Sequence, residues 1–578
     1  LKYPVNRAIL FDFTKAPYVE LAYHKDGMTS LSPRGEKDLN FQNGLYGFPN
    51  RRTIYNAWGT TDLCNPPDAK TPFRRSGVPA AKEGTTAMHS TLYLPIISLG
   101  DADKGGLVAW CDPRTPTGFD GNRERLRLQH TFYLPARKGA VDDGFEPGDG
   151  TGPWPYMVYL AYAKKPTWDL LYSTYLATAP DLRGGTKSRF EAGIINLMDP
   201  RREGVLPLCK RLGIKYTGAL SVSTSDPDDI TPEGIAVVKR HGVSVCAHDG
   251  TIGMAIELDK SPVPPFEPQW AVERYKSSLI KDKAGKKQGC WNGKFANPSP
   301  RFPFGRDRLQ AVKELLRLPV GGFYIDLFLS TAAADWAHPT DALPFYPMQR
   351  AYYEYLSAVA QETRKRGQLF IINAPHPSCL VGKYADVMTF DTDMPIWLMG
   401  RAYGDLTGIS VQFWTNLQDS VPKLKKSMSD ALAYGVITGP YVQGNYLLPD
   451  SSQLRPDQKE AMLKLYERHY RLAYEIGRAR LVKGSSTDGR PGPFLYYRGR
   501  NGTGYVTVQN LAEKTKEFEV PLELQALGLD KAAGLSRVLW DINSGMGGAK
   551  RLEGQVSSIK LPVEPGLTSV IVLKPQAR

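Results

Sequence analysis

The stretch that decides the fold is Gly321-Gly-Phe-Tyr-Ile-Asp-Leu-Phe328, in which Asp326 interrupts a run of apolar and aromatic residues. A short apolar run that follows glycines is typical of a buried strand in a parallel sheet. An aspartate in such a strand is costly unless it is paired or used in chemistry. We therefore expect Asp326 to be a functional residue, and the alternative is a structural aspartate bonded to an arginine or to backbone amides.

Similar short runs alternate with helical stretches on both sides of this segment. The predicted strands are 190–196, 216–223, 243–247, 322–328, 368–373, 387–390, 409–414 and 436–439. The predicted helices are 203–212, 232–241, 306–318, 346–366, 421–434 and 455–478. Eight strands with intervening helices predict a (β/α)8 TIM barrel.

Helix ends are marked by capping residues. Four glycines stand where a predicted helix stops and the next strand begins, as expected for C-terminal caps: Gly213, Gly242, Gly367 and Gly435. At a helix start, Thr231 precedes Pro232 and Glu233, which combines a capping hydroxyl with a first-turn proline and an acid.

Short strands broken by turn residues lie before and after the barrel. Residues 1–185 are predicted to form an N-terminal β-sandwich with a connecting helix after Thr167. The catalytic barrel takes residues 186–480, and residues 481–578 are predicted to form a small C-terminal β-sandwich. A chain of 578 residues is long enough to bury three such cores.

Composition narrows the class of protein. Hydrophobic residues make up 42% and charged residues 23%, which is typical of a globular chain, and no run of about 18 apolar residues indicates a membrane span. The net charge of +14 favours anionic partners, and a solubilising surface charge is the alternative. Because no nucleic-acid-binding motif accompanies this charge, nucleic acid is not a predicted partner.

The six cysteines form no CxxC pair, so neither a zinc site nor a disulfide scaffold is predicted. Buried free thiols are expected, and Cys64 with Cys111 is the favoured pair if a bridge forms. The chain begins at Leu1 without a signal-peptide pattern or an initiator Met, which indicates that a leader was removed or that the sequence was trimmed. This is consistent with a secreted or periplasmic protein; the sequence does not indicate an oligomeric state.

In a TIM barrel the working side chains project from the carboxyl ends of the strands and from the loops that follow. The catalytic candidates are Asp326, Asp391 and Asp393, since two carboxyl groups that flank a glycosidic bond carry out its hydrolysis. Asp391 and Asp393 are two residues apart and share one face of an extended strand; the alternative is loop capping by aspartate. The predicted substrate-binding residues are His248, Asp249, Trp270, Trp291, Asn373, His376, Trp397, Trp414 and Tyr441.

No cofactor is predicted. The acidic trio Asp226, Asp228 and Asp229 offers the oxygen ligands that Ca²⁺ takes. Helix capping around Thr231 is the favoured interpretation of this stretch.

The connection 250–305 is much longer than a normal loop between a strand and a helix. It carries Trp270, Trp291 and the cluster Lys281-Asp-Lys-Ala-Gly-Lys-Lys287. Aromatic faces stack on sugar rings, and lysines attract carboxylate or sulfate groups. We therefore expect this connection to recognise an oligo- or polysaccharide, including an anionic one, and the alternative is a solvated excursion.

The layout resembles the superfamily of retaining α-glycosidases that includes α-galactosidases, α-glucosidases and endo-α-N-acetylgalactosaminidases. Tyr324-Ile-Asp326 is similar to the strand-four motif that holds the nucleophile in that superfamily, and Phe390-Asp-Thr-Asp393 is similar to the element after strand six that holds the acid/base. The resemblance implies that Asp326 is the nucleophile and Asp391 the acid/base, with Asp393 as the second choice.

Two positions depart from the superfamily pattern. Typical α-galactosidases have a lysine where this chain has Tyr324. Endo-acting relatives have a glutamate after strand five, where this chain has Asn373-Ala-Pro-His376.

The sequence thus predicts a glycoside hydrolase that cleaves an α-linked oligo- or polysaccharide with retention of configuration. One alternative is a carbohydrate-binding protein that keeps the fold without catalysis, since fold alone does not fix function. Another is an inverting glycosidase that acts on an anionic polysaccharide. A lyase or an aldolase needs a lysine or a metal cluster at the strand ends, and the sequence offers neither.

Overall fold

The architecture is taken from a computed structural model of the chain. Side chains are described for residues 199–217, 231–247, 275–281, 285, 287, 298–325, 337–338, 354–372, 384–389, 409–412, 420–438, 446–484, 493–499, 502–529, 534–552 and 556–575. Beyond these ranges the structure describes the backbone of the helices and strands given below.

A single parallel sheet forms the centre of the molecule, and its eight strands are ordered as they occur in the chain. They are β1 (Ile195–Asn196), β2 (Tyr216–Ala219), β3 (Ser244–His248), β4 (Gly322–Ile325), β5 (Leu369–Asn373), β6 (Val387–Phe390), β7 (Ser410–Trp414) and β8 (Ile437–Gly439). All neighbouring pairs are parallel. This sheet fits a TIM-barrel-like domain, and each of the eight predicted strands is present in it.

Six helices of the described part of the chain accompany these strands, five between consecutive strands and one after β8. They are α1 (Val205–Leu212), α2 (Pro232–Arg240), α3 (Pro303–Leu315), α4 (Met348–Lys365), α5 (Val421–Ala433) and α6 (Pro456–Arg478). The predicted helices are confirmed, but α3 begins and ends three residues earlier than its predicted bounds. Pro303 occupies the first turn, where a missing N–H costs nothing. None of the described helices combines the length and apolar composition that a membrane span requires.

The predicted helix caps are confirmed. Gly213, Gly242, Gly367 and Gly435 have φ angles of 69°, 75°, 67° and 66°, a left-handed conformation that glycine adopts without a steric penalty. At the start of α2, the Thr231 hydroxyl accepts a hydrogen bond of 3.3 Å from the Gly234 amide. The capping interpretation of Thr231 therefore holds.

Helix α1 lies beside α6, although one follows the first strand and the other the last. Arg211 donates to Glu460 (3.0 Å) and to Glu467 (2.5 Å), and Val205, Leu212, Met462 and Leu463 are buried in one core. Because the ion pairs are exposed, the apolar contact carries most of the stabilisation. Neighbouring first and last helices are the arrangement of a closed barrel, although no ladder between β1 and β8 is among the described pairings.

Two antiparallel sheets follow α6. The larger contains Arg480–Ser486, Pro491–Arg498, Gly504–Gln509, Leu535–Asp541, Gly545–Met546, Lys550–Arg551 and Thr568–Pro575, and the smaller pairs Lys516–Pro521 with Ser558–Val563. A short helix, Leu524–Leu527, precedes the turn at Gly528. Residues of both sheets, among them Val506 and Phe518, share one core, so the two sheets pack as layers.

The N-terminal part of the chain contains ten described strands, all in antiparallel sheets. They are Arg7–Thr14, Tyr18–Leu21, Thr29–Leu31, Thr53–Asn56, Gly59–Asp62, Ile96–Asp101, Gly105–Cys111, Thr117–Gly121, Arg125–Thr131 and Val158–Ala163. The connecting helix predicted after Thr167 lies outside the described residues.

The larger C-terminal sheet packs against α5 and caps it. The last helical carbonyl, that of Ala433, accepts hydrogen bonds from the hydroxyls of Tyr497 (2.9 Å) and Thr507 (3.0 Å). These bonds satisfy an acceptor that the helix itself leaves unpaired. Gln509 joins the two elements further, since its amide donates to Asp430 (2.8 Å) and accepts from Tyr434 (2.8 Å).

Gly322 in β4 gives a first test of this packing. A Cβ at this position would lie 2.8 Å from the backbone oxygen of Leu369 and 3.2 Å from Cys246 Sγ. Gly322→Ala should therefore lower the free energy of unfolding by roughly 1–3 kcal/mol, as expected for overpacking. Urea titration measures the change. Gly548→Ala is the control, because no atom lies within 4 Å of its Cβ position; equal stability losses in the two variants would contradict the packing described here.

Asp430 gives a second test, through pH. Burial raises the pKa of Asp430 from 3.8 to about 6, against the opposing effects of Lys426 and of the bond from Gln509. The folded state therefore disfavours the ionised form, and the stability that the neutral form contributes is lost as the pH rises through about 6.

Asp430→Asn cannot ionise but keeps an acceptor for Gln509. Relative to the parent, it should be about equally stable near pH 4 and more stable above pH 7, by at most about 3 kcal/mol at about 1.4 kcal/mol per pKa unit. Thermal unfolding of both proteins across this range measures the difference. Burial also lowers the pKa of His469 to about 3, but this group is common to both proteins and cancels. A difference that does not change with pH would contradict the assignment.

Candidate active site

The parallel sheet brings the carboxyl ends of its strands to one edge, which we call the carboxyl edge. Strands β3, β5 and β7 end at His248, Asn373 and Trp414, three predicted substrate-binding residues. Strands β4 and β6 end at Ile325 and Phe390, one residue before Asp326 and Asp391. Three of the predicted site residues therefore lie at this edge, and two more follow it by one residue.

The remaining predictions lie outside the described residues. This holds for Asp326, Asp391, Asp393, Asp249, Trp270, Trp291, His376, Trp397, Tyr441 and the trio Asp226, Asp228 and Asp229. For His248, Asn373 and Trp414 the backbone is described and the side chain is not. The Cys64–Cys111 pair also lies outside the described side chains.

Strand register determines which residues lie side by side on neighbouring strands. Tyr324 of β4 is paired with His248 of β3 and with Ile371 of β5. Thr389 of β6 is paired with Asn373 of β5 and with Gln412 of β7. The strands that lead to Asp326 and Asp391 are thus tied, through β5 between them, in one continuous ladder.

Two side chains meet across this ladder. The hydroxyl of Tyr324 lies 3.4 Å from Thr389 Oγ1, and both residues are completely buried. Because β5 separates their strands, the contact passes over one face of the sheet, which is therefore concave there. Tyr324 and Thr389 stand two residues before Asp326 and Asp391, and we call them the floor pair.

The concave face is polar near the floor pair. Gln412 is level with Thr389, and Ser410 stands two residues earlier on the same strand; both are buried. The neighbouring positions Phe323, Ile325, Phe370 and Met388 are apolar and buried. Since side chains alternate along a strand, these polar residues share one face of the sheet with Ile371 and Val387, and the four apolar residues lie on the other face.

Two cysteines in the described part of the barrel are free and buried. Burial raises the pKa of Cys209 to about 12 and raises the pKa of Cys246 as well. A thiol must lose its proton to act as a nucleophile. These two side chains are therefore inert, as expected for buried free thiols.

Asp386 shows why burial alone does not identify a catalytic carboxylate. It is completely buried, and its Oδ2 accepts a bond of 2.8 Å from the Phe370 amide. It precedes β6, however, and so lies at the amino edge of the sheet, opposite to the carboxyl edge. Its position assigns it to stabilising the β5–β6 pairing. Among the described residues there is no group of three side chains that could hold a metal ion.

The long connection between β3 and α3 has structure of its own. Its short strands Ile256–Glu257, Gly289–Cys290 and Phe295–Ala296 form a three-stranded antiparallel sheet, and a 3-10 turn spans Lys276–Ser278. Another hairpin, Ala334–Asp335 with Tyr346–Pro347, lies between β4 and α4. The described parts of the first connection thus contain paired strands. This argues against the alternative that the connection is only a solvent-exposed loop.

Comparison with known proteins gives a likeness of fold. No protein-family model and no curated protein sequence matches the chain. Structures of GH36 α-galactosidase AgaA variants from Geobacillus stearothermophilus, in complex with stachyose and with raffinose, match with TM-scores of 0.52 at 11% identity. Each alignment covers 98% of this chain and 76% of the other.

A second match is an α-N-acetylgalactosaminidase, NagBb from Bifidobacterium bifidum, in complex with GalNAc. It has a TM-score of 0.49 and 13% identity, and the alignment covers 87% of this chain and 81% of the other. At such identities the matches concern the fold. The AgaA alignments extend the likeness over almost the whole length of this chain.

Thr389 is a residue of the concave face that the sequence alone did not identify. It is an ordinary threonine in a short apolar strand, and only its contact with Tyr324 gives it significance. Its spacing of two residues before Asp391 places it on the same strand face as that aspartate, but this spacing does not identify its partner.

The floor pair can be tested by a double-mutant cycle on stability. Tyr324→Phe and Thr389→Val each remove one hydroxyl and keep the shape of the side chain. If the hydroxyls interact, the two losses should be non-additive by about 0.5 kcal/mol or more. Urea unfolding of the single and double variants measures the coupling.

The control cycle combines Tyr324→Phe with Thr507→Val. Thr507 is also a buried threonine, but it bonds to Ala433 beside the C-terminal sheet. These two changes should be additive within roughly 0.3–0.5 kcal/mol. Equal coupling in the two cycles would show that the Tyr324–Thr389 contact has no specific energy.

Proposed function

We propose that the chain is a glycoside hydrolase that cleaves an α-linked oligo- or polysaccharide with retention, using Asp326 as nucleophile and Asp391 as acid/base. The observation that carries this proposal is the contact of Tyr324 with Thr389. Side chains two residues apart on a strand share a face. Asp326 and Asp391 follow the floor pair at this spacing, so we expect their carboxyl groups to converge on the same side of the sheet.

The spacing of the strands supports a retaining mechanism. Adjacent strands lie about 4.8 Å apart, so β4 and β6, with β5 between them, are separated by roughly 10 Å. Two aspartate side chains that extend toward each other across this gap approach the separation of about 5–5.5 Å typical of retaining enzymes. The separation of about 6.5–9.5 Å in inverting enzymes leaves room for a water molecule between the carboxyl groups and the sugar.

The reaction has two steps. Asp326 attacks the anomeric carbon while the bond to the leaving oxygen breaks and Asp391 transfers its proton to that oxygen. The Asp391 carboxylate then takes a proton from water, whose oxygen attacks the anomeric carbon and releases Asp326. Both aspartates return to their initial states. Asp393, two residues after Asp391, is the second choice for the acid/base.

Further support comes from the fold and the polar surroundings. The AgaA structures that match the chain are described as α-galactosidases in complex with stachyose and raffinose. Binding of a sugar near the carboxyl edge is also consistent with the residues that end β3, β5 and β7, namely a histidine, an asparagine and a tryptophan. We propose that His248, Asn373 and Trp414 contact the sugar, together with the candidates from the loops.

The decisive experiment measures turnover on a panel of α-linked aryl glycosides and oligosaccharides. Asp326→Asn should reduce turnover by at least about 10³-fold, because no covalent intermediate forms. Asp391→Asn should reduce it by about 10²–10⁴-fold, with the smaller loss on substrates whose leaving groups need no proton. Asp457→Asn, an exposed aspartate at the start of α6, is the control and should keep full turnover.

Near-UV circular dichroism establishes that the variants are folded. The anomeric configuration of the first product, read by NMR, should match that of the substrate. An inverted product would replace the proposed mechanism with single displacement, and unchanged turnover in Asp326→Asn would remove this residue as nucleophile. Sugar binding without cleavage of any substrate would favour a carbohydrate-binding protein with the same fold.

A further inference from the structure

We propose that the amino edge of the barrel forms a basic surface, which we call the amino rim, that docks on a lipid bilayer with anionic headgroups. The amino rim comprises 210–215, 239–243, 313–321 and 364–368, the segments that join the ends of α1, α2, α3 and α4 to the next strands. This inference concerns the attachment of the protein to a surface and goes beyond the proposed hydrolysis.

Positive charge is concentrated in the amino rim. Its four segments contain ten basic residues and one acid, Glu314, which gives a net charge of 10 − 1 = +9, against +14 for the whole chain. The helix dipole favours a basic side chain in the last turn of a helix, but this effect does not explain why ten basic residues are accompanied by a single acid. The excess therefore indicates a partner of opposite charge.

Part of this charge is neutralised within the protein. Arg211 pairs with Glu460 and Glu467 of α6, and Glu362 pairs with two basic residues at the end of α4. Five other side chains of the amino rim are exposed and form no ion pair and no side-chain hydrogen bond with any described residue: Lys210, Lys215, Lys239, Arg240 and Arg317. These five charges are available to an external partner.

The backbone holds the segments of the amino rim side by side. The Ser244 amide donates to the Lys215 carbonyl (2.8 Å). The Gly321 amide donates to the Val245 carbonyl (2.7 Å), and the Gly321 carbonyl accepts from the Leu369 amide (2.9 Å). Neighbouring strands lie about 4.8 Å apart, so β2 to β5 begin within roughly 15 Å of one another. The charges that precede these strands therefore share one edge of the sheet.

A flat surface suits this distribution better than a single polymer chain does. Charges on the ends of consecutive helices can all reach a flat anionic surface together, whereas an extended polyanion follows one line. Val237 of α2 is 42% exposed and stands three residues before Arg240, so the two side chains are neighbours on the helix surface. Anionic headgroups attract basic side chains, and an exposed apolar side chain beside them adds contact with the acyl boundary.

The amino rim lies at the opposite edge from the candidate active site. Parallel strands begin at one edge and end at the other, so a bilayer that contacts the strand starts leaves the strand ends open to solvent. Docking through the amino rim is therefore compatible with access of a dissolved sugar to the carboxyl edge. Because salt screens exposed charges beyond about 8 Å at physiological ionic strength, the attachment requires close contact and is released by high salt.

The test compares two double variants of the amino rim with a matched control. The rim variants are Lys239→Gln/Arg240→Gln and Lys210→Gln/Lys215→Gln. The control is Lys550→Gln/Arg551→Gln, which removes an exposed lysine and an exposed arginine from the C-terminal sheet. The probes are vesicles of phosphatidylcholine alone and vesicles of phosphatidylcholine and phosphatidylserine in a ratio of about 2:1. Co-sedimentation measures binding, and thermal unfolding establishes that the variants remain folded.

We expect the parent to bind the vesicles that contain phosphatidylserine and to dissociate from them at high salt. Each rim variant should lower the partition coefficient by roughly 10–30-fold, because each basic residue near an anionic bilayer contributes about a factor of five. The control variant should stay within about twofold of the parent. Since the two rim variants change different helices, either of them tests the proposal if the other does not fold.

Three results would overturn the proposal. One is equal binding to vesicles with and without phosphatidylserine, and another is an equal loss of binding in the rim variants and the control. The third is no binding to either kind of vesicle together with binding of dextran sulfate or duplex DNA that the rim variants lose, which would assign the amino rim to a soluble polyanion. Sedimentation involves no hydrolysis, so Asp326→Asn should bind vesicles as the parent does, and failure of the proposed catalytic function would leave these results unchanged.

Discussion

Parallel pairing in chain order is the constraint on which the rest of this structure depends. Eight strands that run in one direction must all end at one edge, and that edge collects the segments that begin at Asp326 and Asp391. The pairing requires β4 to lie close to its two neighbouring strands. At Gly322, Leu369 and Cys246 leave no room for a Cβ. On the outside, the contact of α1 with α6 brings the two ends of the sheet together. The position of the candidate site thus follows from how the sheet is assembled.

The C-terminal sheets pack against the barrel helices and share a core with them. Tyr497, Tyr505 and Trp540 belong to the same buried cluster as the barrel helices. The sheet also supplies the hydroxyls that cap α5, and α5 in turn precedes β8. Since an unsatisfied buried carbonyl costs about 1–3 kcal/mol, the sheet and the helix stabilise each other. This explains why a change at Asp430 is expected to affect the stability of the whole molecule.

Much of the central fold was predictable because its signals are local. Strand periods, apolar runs and capping glycines lie within a few residues of the elements that they specify, and the predicted strands and helices correspond closely to the described ones. Helix α3 shows the limit: its N-cap is Phe302, which offers no side-chain acceptor, so Pro303 is the local marker left for its start.

The floor pair and the ion pairs between α1 and α6 were not predictable in the same way. Tyr324 and Thr389 are 65 residues apart, and Arg211 and Glu460 are 249 apart. No local pattern encodes which residues two strands or five helices away will meet. The sequence did identify the strand ends that carry Asp326 and Asp391, because position at a strand end is itself a local property. Their partners beneath the carboxyl edge depend on the three-dimensional register.

Tyr324 changes the electrostatics expected at the candidate site. Typical α-galactosidases have a lysine at this position, and an ammonium group there would place a positive charge two residues before the nucleophile. In this chain the position is neutral and completely buried, and its hydroxyl is directed to Thr389. A tyrosine at this position therefore supplies a hydroxyl dipole where a lysine would supply a full positive charge.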